Sequence, residues 1–341
     1  MSEDFFYQDS PGNGPDTHTH LPLEFHGTGL EYFKIWLVNI ILSVLTLGIY
    51  SAWAKVRRKQ YFYGNTTLNG ASFEYLADPK NILKGRIIAF VFFVAYSLAS
   101  QLYPLAGLIM SFLLMGVMPW LVVRSVSFNF RNSAYKNIRF GFDGGLWEAV
   151  KVFVLFSMTV PLTLGLSLPY VFYRQRKFIA DHASYGHTGF TFYATGKDYY
   201  RLVLGALLPL IVGCLVAVGS AVSFPPITGV VVMVLYLYLF AYISVSTMNL
   251  FFNATRLDAH GFEASLSVKG YAWVVVVNTF LSVITLGLYY PWARVRTVKY
   301  KLEHLNVIAR GSLDEFTAAE QERVSALGEE VGDFFDMDIG L

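Results

Sequence analysis

Long stretches of the chain contain no Asp, Glu, Lys, Arg or His. Five such runs cover residues 35–54, 87–123, 152–173, 202–255 and 270–293, with lengths of 20, 37, 22, 54 and 24 residues. A helix needs about 20 apolar residues to cross the hydrocarbon core of a bilayer. The pattern therefore predicts a polytopic helical membrane protein in which the second and fourth runs each hold a helical hairpin.

A shared motif occurs near the ends of the other three runs. Residues 46–57 read Thr-Leu-Gly-Ile-Tyr-Ser-Ala-Trp-Ala-Lys-Val-Arg, and residues 285–296 read Thr-Leu-Gly-Leu-Tyr-Tyr-Pro-Trp-Ala-Arg-Val-Arg. A weaker copy at residues 163–174 keeps Thr-Leu-Gly and the final Arg. Self-similarity at fixed offsets indicates internal repeats, and we count two full units and one partial unit.

The repeat pattern predicts five segments. They are an acidic disordered tail at 1–24, unit one at 25–136 (broken helix 32–54, hairpin 84–123), unit two at 137–256 (broken helix 147–173, hairpin 202–250), a partial unit three at 257–316 (broken helix 270–293) and an acidic C-terminal tail at 317–341.

Short segments of alternating apolar and polar residues flank the broken helices and are typical of β-strands. They lie at 23–27, 137–144 and 266–270 before the helices and at 66–75, 187–193 and 306–316 after them. The fold class predicted is therefore mainly α, a helical membrane body of internal repeats with small β-strand elements on its cytoplasmic side.

Charge placement distinguishes two topologies. If the three broken helices crossed the membrane, basic segments after Arg57 and Arg174 would lie on opposite faces, against the positive-inside rule. If the broken helices enter and return, every Lys and Arg between residues 32 and 313 lies on one side. We prefer four crossings with three re-entrant helices over a plain seven-helix layout.

Composition agrees with a membrane protein, since the chain of 341 residues is 55% hydrophobic and only 15% charged. The net charge of +2 is a cancellation, because residues 32–313 carry 25 bases against 9 acids and both ends are acidic. The bases lie at the edges of apolar runs, as expected for residues beside anionic headgroups rather than nucleic acid. The chain has no nucleotide-binding loop, metal-binding motif or nucleophile elbow, so we expect no enzyme activity, no cofactor and no metal.

A resemblance follows from these motifs. The segment 46–70, the sequence Ile-Leu-Lys-Gly-Arg at 82–86 and the copy Pro-Trp-Ala-Arg-Val-Arg at 291–296 together resemble the YjgN-like family of bacterial inner-membrane proteins. The resemblance covers about residues 25–316. It implies a multi-pass protein of the bacterial inner membrane and brings no substrate, cofactor or catalytic residue.

Basic residues past the helix breaks are candidates for binding anionic lipid headgroups or an anionic solute, because Arg suits bidentate phosphate contact. The alternative is simple anchoring at the interface. These candidates are Arg57, Arg174, Arg296, Lys55 and Arg294.

Two further sets stand out inside the apolar runs. The predicted helix breaks are Gly48, Gly165, Gly287, Pro169 and Pro291. They either open a cleft, as broken helices do in transporters, or simply end a helix at the interface. Asn39 and Asn278 are intramembrane amides that either pack across helices or line a solute pathway.

The function we expect is that of a non-enzymatic envelope protein that binds membrane lipid or a partner protein, with a homo-oligomer and cytoplasmic termini as further expectations. The alternative is a small-solute channel or transporter built around the broken helices. A continuous wet path lined by Asn39 and Asn278 would favour transport. A closed core with a basic lateral groove would favour lipid or partner binding.

Overall fold

The computed structural model describes residues 18–337, without the side chains of residue 104 and residues 326–337. The ten strands are β1 (His18–Phe25), β2 (Thr66–Leu68), β3 (Ala71–Tyr75), β4 (Ser133–Tyr135), β5 (Ile138–Phe142), β6 (Ala183–Tyr185), β7 (Thr188–Phe192), β8 (Thr255–Leu257), β9 (His260–Ala264) and β10 (Leu305–Arg310).

Helices make up most of the remaining chain. They are α1 (Gly29–Leu45), α2 (Ser51–Gly64), α3 (Pro79–Leu102), α4 (Pro104–Arg131), α5 (Leu146–Val150), α6 (Phe156–Leu162), α7 (Leu168–Asp181), α8 (Gly196–Ser223), α9 (Pro225–Asn253), α10 (Val268–Ile284), α11 (Tyr290–Leu302) and α12 (Leu313–Met337). A π-helical turn at Lys151–Leu155 joins α5 to α6.

All ten strands form one closed antiparallel barrel. Each strand pairs with its sequence neighbour, and β1 pairs with β10, where Leu21 lies opposite Val307. The predicted fold class was wrong on this point: the strands are not small separate elements of internal repeat units but parts of a single ten-stranded sheet. Closure has a physical reason, because a barrel leaves no strand edge with unpaired backbone groups.

Some strands were placed correctly from the sequence and others were missed. The strand predicted at 266–270 is wrong, because β9 ends at Ala264 and α10 begins at Val268. Three missed strands, β4, β6 and β8, have only three residues each, which is too short for an alternating pattern. Residues 18–24 lie in β1 rather than in the predicted tail, and residues 1–17 of that tail lie outside the described residues.

Tight turns connect the strands at one end of the barrel. Asn69 and Gly70 have φ values of 47° and 74°, and Lys136 and Asn137 have values of 46° and 64°. Positive φ at both central residues matches the right-handed twist of antiparallel strands, which is why Asn-Gly is favoured in such turns.

Five helical hairpins leave the other end of the barrel and return to it. Each one follows an odd-numbered strand and precedes the next even-numbered strand; the last residue of β1, Phe25, lies opposite the first residue of β2, Thr66. Both ends of every helical hairpin therefore lie at the same end of the barrel, opposite the tight turns.

The helical hairpins have two lengths. The helices α3, α4, α8 and α9 have 24 to 29 residues, and all four are long and apolar enough to cross a membrane. The helices α1 and α10 have 17 residues each, or about 25 Å at 1.5 Å per residue, which is shorter than the hydrocarbon core of about 30 Å.

The Thr-Leu-Gly segments form the tips of the three short hairpins. The hydroxyl of Thr46 donates to the carbonyl of Leu42 and accepts from the backbone N–H of Tyr50, at 2.7 and 2.9 Å. Gly48 has φ of +89°, and its N–H donates to the carbonyl of Ser43 at 2.7 Å, as in a Schellman cap. The threonine therefore joins the end of one helix to the start of the next.

Candidate functional site

A basic groove lies between the short hairpin α1–α2 and its neighbours. It has a volume of about 700 Å³ and is lined by one face of α1, one face of α2, the start of α3 and the tip of the hairpin α10–α11. On α1 the lining positions are Tyr32, Trp36, Asn39, Ile40, Ser43 and Val44. Their spacing of three and four residues places them on one side of the helix.

Three cations line this groove. Lys55 and Arg58 lie three residues apart on α2, and Arg86 approaches from α3. The guanidinium of Arg86 donates to the hydroxyl of Ser51, which itself donates to the carbonyl of Gly48. The groove thus links the tip of one hairpin to the charged start of the next.

Among the described residues, no acidic side chain lines the groove. Burial lowers the pKa of Lys55, and the positive charges of Arg86 and Arg58 lower it further. The three cations therefore repel one another, and an anion bound among them would relieve that repulsion. A phosphate is well suited because Arg presents its N–H donors in a planar fork.

Asn39 adds a neutral hydrogen-bonding group to the same groove. Its side chain is only 7% exposed, and its Oδ1 atom has no hydrogen-bond partner within the described structure. A buried amide oxygen without a partner is costly, and a ligand donor in the groove would satisfy it.

The predicted arginines are spread over three hairpins. Arg57 is exposed on α2, Arg174 lies over the ring of Phe156 at 5.1 Å, and Arg296 is half-buried on α11. None of the three lines the basic groove, and Arg294 lies over the ring of Phe62 at 5.9 Å. Of the five basic candidates, only Lys55 is a groove residue.

The other predicted residues fall mostly at hairpin tips and helix starts. Gly165 and Gly287 each have φ of +88°, and Gly287 also lines the basic groove. Pro169 and Pro291 are buried in the first turns of the returning helices α7 and α11. There the missing N–H of proline costs nothing.

Asn278 differs from Asn39 in the partners of its Nδ2 atom, whereas the Oδ1 atoms of both residues are buried without a hydrogen-bond partner within the described structure. The Nδ2 of Asn278 donates to the carbonyl of Ala293 and to the hydroxyl of Thr297, both at 3.1 Å. It therefore ties α10 to α11 inside one hairpin.

Sequence reasoning did not select Arg58 or Arg86. The spacing of three residues from Lys55 could have identified Arg58, because residues three apart share a helix face. Arg86 lies on a different hairpin, 31 residues from Lys55, and no local pattern in the sequence brings the two together. Within the described residues, no three His, Cys, Asp or Glu side chains are grouped closely enough to hold a metal ion.

Comparison with known proteins gives relatives but no function. The chain is 26% identical over 369 residues to the inner membrane protein YjgN of Salmonella typhimurium, covering 90% of this chain and 93% of that protein. It is 28% identical over 161 residues to the inner membrane protein YjgN of Escherichia coli K12, covering 47% of this chain and 39% of that protein. No solved structure matches the chain.

The resemblance to YjgN-like inner-membrane proteins inferred from the motifs is thus confirmed. The relatives named as inner membrane proteins agree with the four apolar helices of this chain. A family model matches residues 20–334, and the chain belongs to that family, described as bacterial proteins of unknown function (DUF898).

Proposed function

We propose that this protein is a non-enzymatic lipid-binding protein of the bacterial inner membrane, and that its basic groove holds the anionic headgroup of a membrane lipid. The observation that carries the proposal is the cluster of Lys55, Arg58 and Arg86 in a groove where no described residue supplies a carboxylate. The apolar residues Trp36, Ile40 and Val44 on the same face of α1 would pack against the lipid chains.

The depth of the cations supports a headgroup rather than a solute deep in the bilayer. Arg58 and Lys55 lie six and nine residues before the end of α2 at the barrel, or about 9 and 14 Å along the helix axis. Arg86 lies seven residues after the start of α3, or about 11 Å from the barrel. The Cα atoms of the three residues therefore lie in one layer about 9–14 Å from the barrel, and the guanidinium of Arg86 extends from this layer to Ser51 near the hairpin tip.

The position of the basic residues also supports an orientation of the protein in the membrane. The turn of the hairpin α3–α4 at Tyr103 and the turn of α8–α9 at Phe224 lie in runs without charged residues, whereas the bases lie toward the barrel. By the positive-inside rule, the barrel and both chain termini would be cytoplasmic. The four long helices would then cross the membrane, and the three short hairpins would enter it and return.

The solute channel or transporter is less well supported. Asn278 is hydrogen-bonded between two helices of one hairpin, as expected for packing. The space inside the barrel is lined almost entirely by apolar side chains, which do not favour a hydrated path.

A lipid-binding measurement on matched variants tests the proposal. The full chain in nanodiscs of phosphatidylcholine would be titrated with phosphatidylglycerol and studied by native mass spectrometry. Each cation near an anionic lipid contributes about 1 kcal/mol, so Arg58→Gln is expected to weaken binding about fivefold and the triple Gln variant at positions 55, 58 and 86 by about two orders of magnitude.

Arg57→Gln is the matched control, because Arg57 and Arg58 are adjacent and both exposed, but only Arg58 lines the groove. It removes the same charge from the same helix and should leave specific binding unchanged. Equal losses for the two variants would contradict the proposal and leave only general anchoring at the interface.

A further inference from the structure

The barrel encloses a second, separate cavity. It has a volume of about 600 Å³, and it shares no lining residue with the basic groove. A barrel of eight strands is filled by its own side chains or holds one small ligand, and ten strands enclose a wider interior. The volume is within the range of about 300–1,000 Å³ found for ligand sites.

The wall of this cavity is mostly apolar, although it includes the imidazole of His260, whose Nδ1 is buried without a hydrogen-bond partner within the described structure. Aromatic and aliphatic side chains from the strands supply most of it, among them Phe73, Phe140, Phe190, Leu257 and Phe262. Within the part of the chain that the structure describes, no Lys, Arg, Asp or Glu lines the cavity. A charged ligand group would therefore have no counter-charge inside the barrel, whereas a hydrocarbon fits the lining.

The polar atoms of two tyrosines in the wall are already satisfied. The hydroxyl of Tyr135 donates to the carbonyl of Leu68 at 2.7 Å, and the hydroxyl of Tyr185 donates to the carbonyl of Tyr135 at 3.0 Å. These rings present apolar faces to the cavity while their hydroxyls bond the barrel backbone.

The helix α12 closes the end of the cavity at the tight turns. Leu313, Phe316 and Thr317 from its first turns line the cavity. The ring of Phe316 lies 4.7 Å from the ring of His260 and 6.3 Å from the ring of Tyr185. This end of the barrel is thus covered by the protein itself.

The opposite end of the cavity reaches the helices. All five returning helices contribute lining residues close to their C-terminal ends: Phe62 from α2, Phe130 from α4, Ile179 from α7, Phe251 from α9 and Leu302 from α11. The apolar surface therefore continues from the barrel interior to the helices that extend toward the bilayer.

We infer that the barrel cavity binds one long acyl chain, with the methyl end toward α12 and the polar head at the helix end of the barrel. The apolar wall, the closed end at α12 and the continuity with the helices all fit a chain that enters from the membrane side. The chain could belong to a phospholipid or to a free fatty acid, and the experiment distinguishes these sources. The inference extends the proposed lipid binding to a second site and does not depend on the basic groove.

Photocrosslinking at two neighbouring positions of β5 tests the inference. Phe140 lines the cavity, whereas Arg139 is exposed on the outer face of the same strand. The variants Phe140→p-benzoylphenylalanine and Arg139→p-benzoylphenylalanine would be irradiated as full chains in nanodiscs of dioleoylphosphatidylcholine, and in detergent with oleic acid. Intact mass then identifies the adduct. We expect at least tenfold more adduct at position 140 than at position 139. The added mass shows whether the bound chain belongs to the phospholipid or to the fatty acid.

Filling the cavity provides a second measurement. Ala183 and Leu257 line the cavity, and Ala183→Leu or Leu257→Phe in the position-140 crosslinking background should lower the adduct yield at least fivefold. The thermal unfolding midpoint identifies variants that remain folded. Lack of a lipid adduct at position 140 with either lipid, or equal yields at positions 139 and 140, would overturn the inference.

The test is separate from that of the basic groove. The crosslinking experiment uses phosphatidylcholine or oleic acid, whereas the experiment on the basic groove measures binding of phosphatidylglycerol. Failure of headgroup binding in the groove and failure of chain binding in the barrel would therefore be seen in different experiments.

Discussion

One buried carboxylate contributes to the contact between α12 and the barrel. Glu320 is 1% exposed, and its two carboxylate oxygens accept hydrogen bonds from the backbone N–H of His187 at 2.8 Å and the hydroxyl of Thr188 at 2.9 Å. Both donors belong to the turn between β6 and β7 and the start of β7. Gly186 in that turn leaves room for the contact, since a Cβ there would lie 2.9 Å from Cγ of Glu320.

Removing this carboxylate should loosen α12. A hydrogen bond to a charged group contributes about 1.5–3 kcal/mol, and unpaired buried donors add a penalty. We expect Glu320→Ala to lower the free energy of docking α12 by about 3 kcal/mol, or about 150-fold in the opening equilibrium. Glu320→Gln keeps an acceptor oxygen without the charge and should cost about half as much free energy.

Native-state hydrogen exchange on the full chain in detergent measures this effect directly, because exchange protection reports the free energy of local opening. Peptides covering residues 313–325 should lose protection in Glu320→Ala while peptides of the strands keep theirs. Glu322→Ala is the matched control, because Glu322 is exposed on the same helix. Unchanged protection of α12 in Glu320→Ala would refute the reasoning.

Two further predictions concern pH and backbone conformation. Burial lowers the pKa of His260 while Asp258 acts in the opposite direction, so the unfolded chain binds more protons below about pH 6.5. The stability that neutral His260 provides should be complete above that pH and be lost as the pH falls through the folded-state pKa. His260→Phe should therefore reduce the change in the thermal unfolding midpoint between pH 7.5 and pH 5. An unchanged pH dependence of the midpoint would contradict this. Gly287 has φ of +88°, so Gly287→Ala should lower the free energy of unfolding by about 1–2 kcal/mol. Gly229→Ala is the control, because Gly229 lies in a helix with open space around it, and this substitution should not destabilise the protein. Equal melting temperatures for the two variants would contradict the prediction.

The sequence predicted the long helices because their signal is local and extended. The runs at 87–123 and 202–255 are long enough for two crossings each, and the structure has two long helices in each run. The turn at Asn69-Gly70 could also be predicted, because that dipeptide favours positive φ at both positions. These features require no information from distant parts of the chain.

Barrel closure could not be predicted in the same way. β1 pairs with β10, so His18 lies opposite Arg310 across nearly the whole chain, and no periodicity within either strand records that pairing. The strands of three residues gain their conformation from neighbours in the sheet rather than from their own pattern. The basic groove could not be predicted for the same reason. Lys55 was selected from the sequence, whereas Arg86, which lies on the next hairpin, was not.

The arrangement of long and short hairpins agrees with the proposed entry of a lipid chain into the barrel. Neighbouring hairpins contact one another in sequence, and α11 packs against α1, so the five hairpins form a ring below the barrel. The hairpins α1–α2 and α10–α11 are neighbours in this ring, and their helices are about 25 Å long or shorter. The long helices extend further from the barrel, so the ring is open on that side beyond the tips of the two short hairpins. A lipid chain that enters the barrel would therefore approach between the two long hairpins, separately from any headgroup held by Lys55, Arg58 and Arg86 in the basic groove.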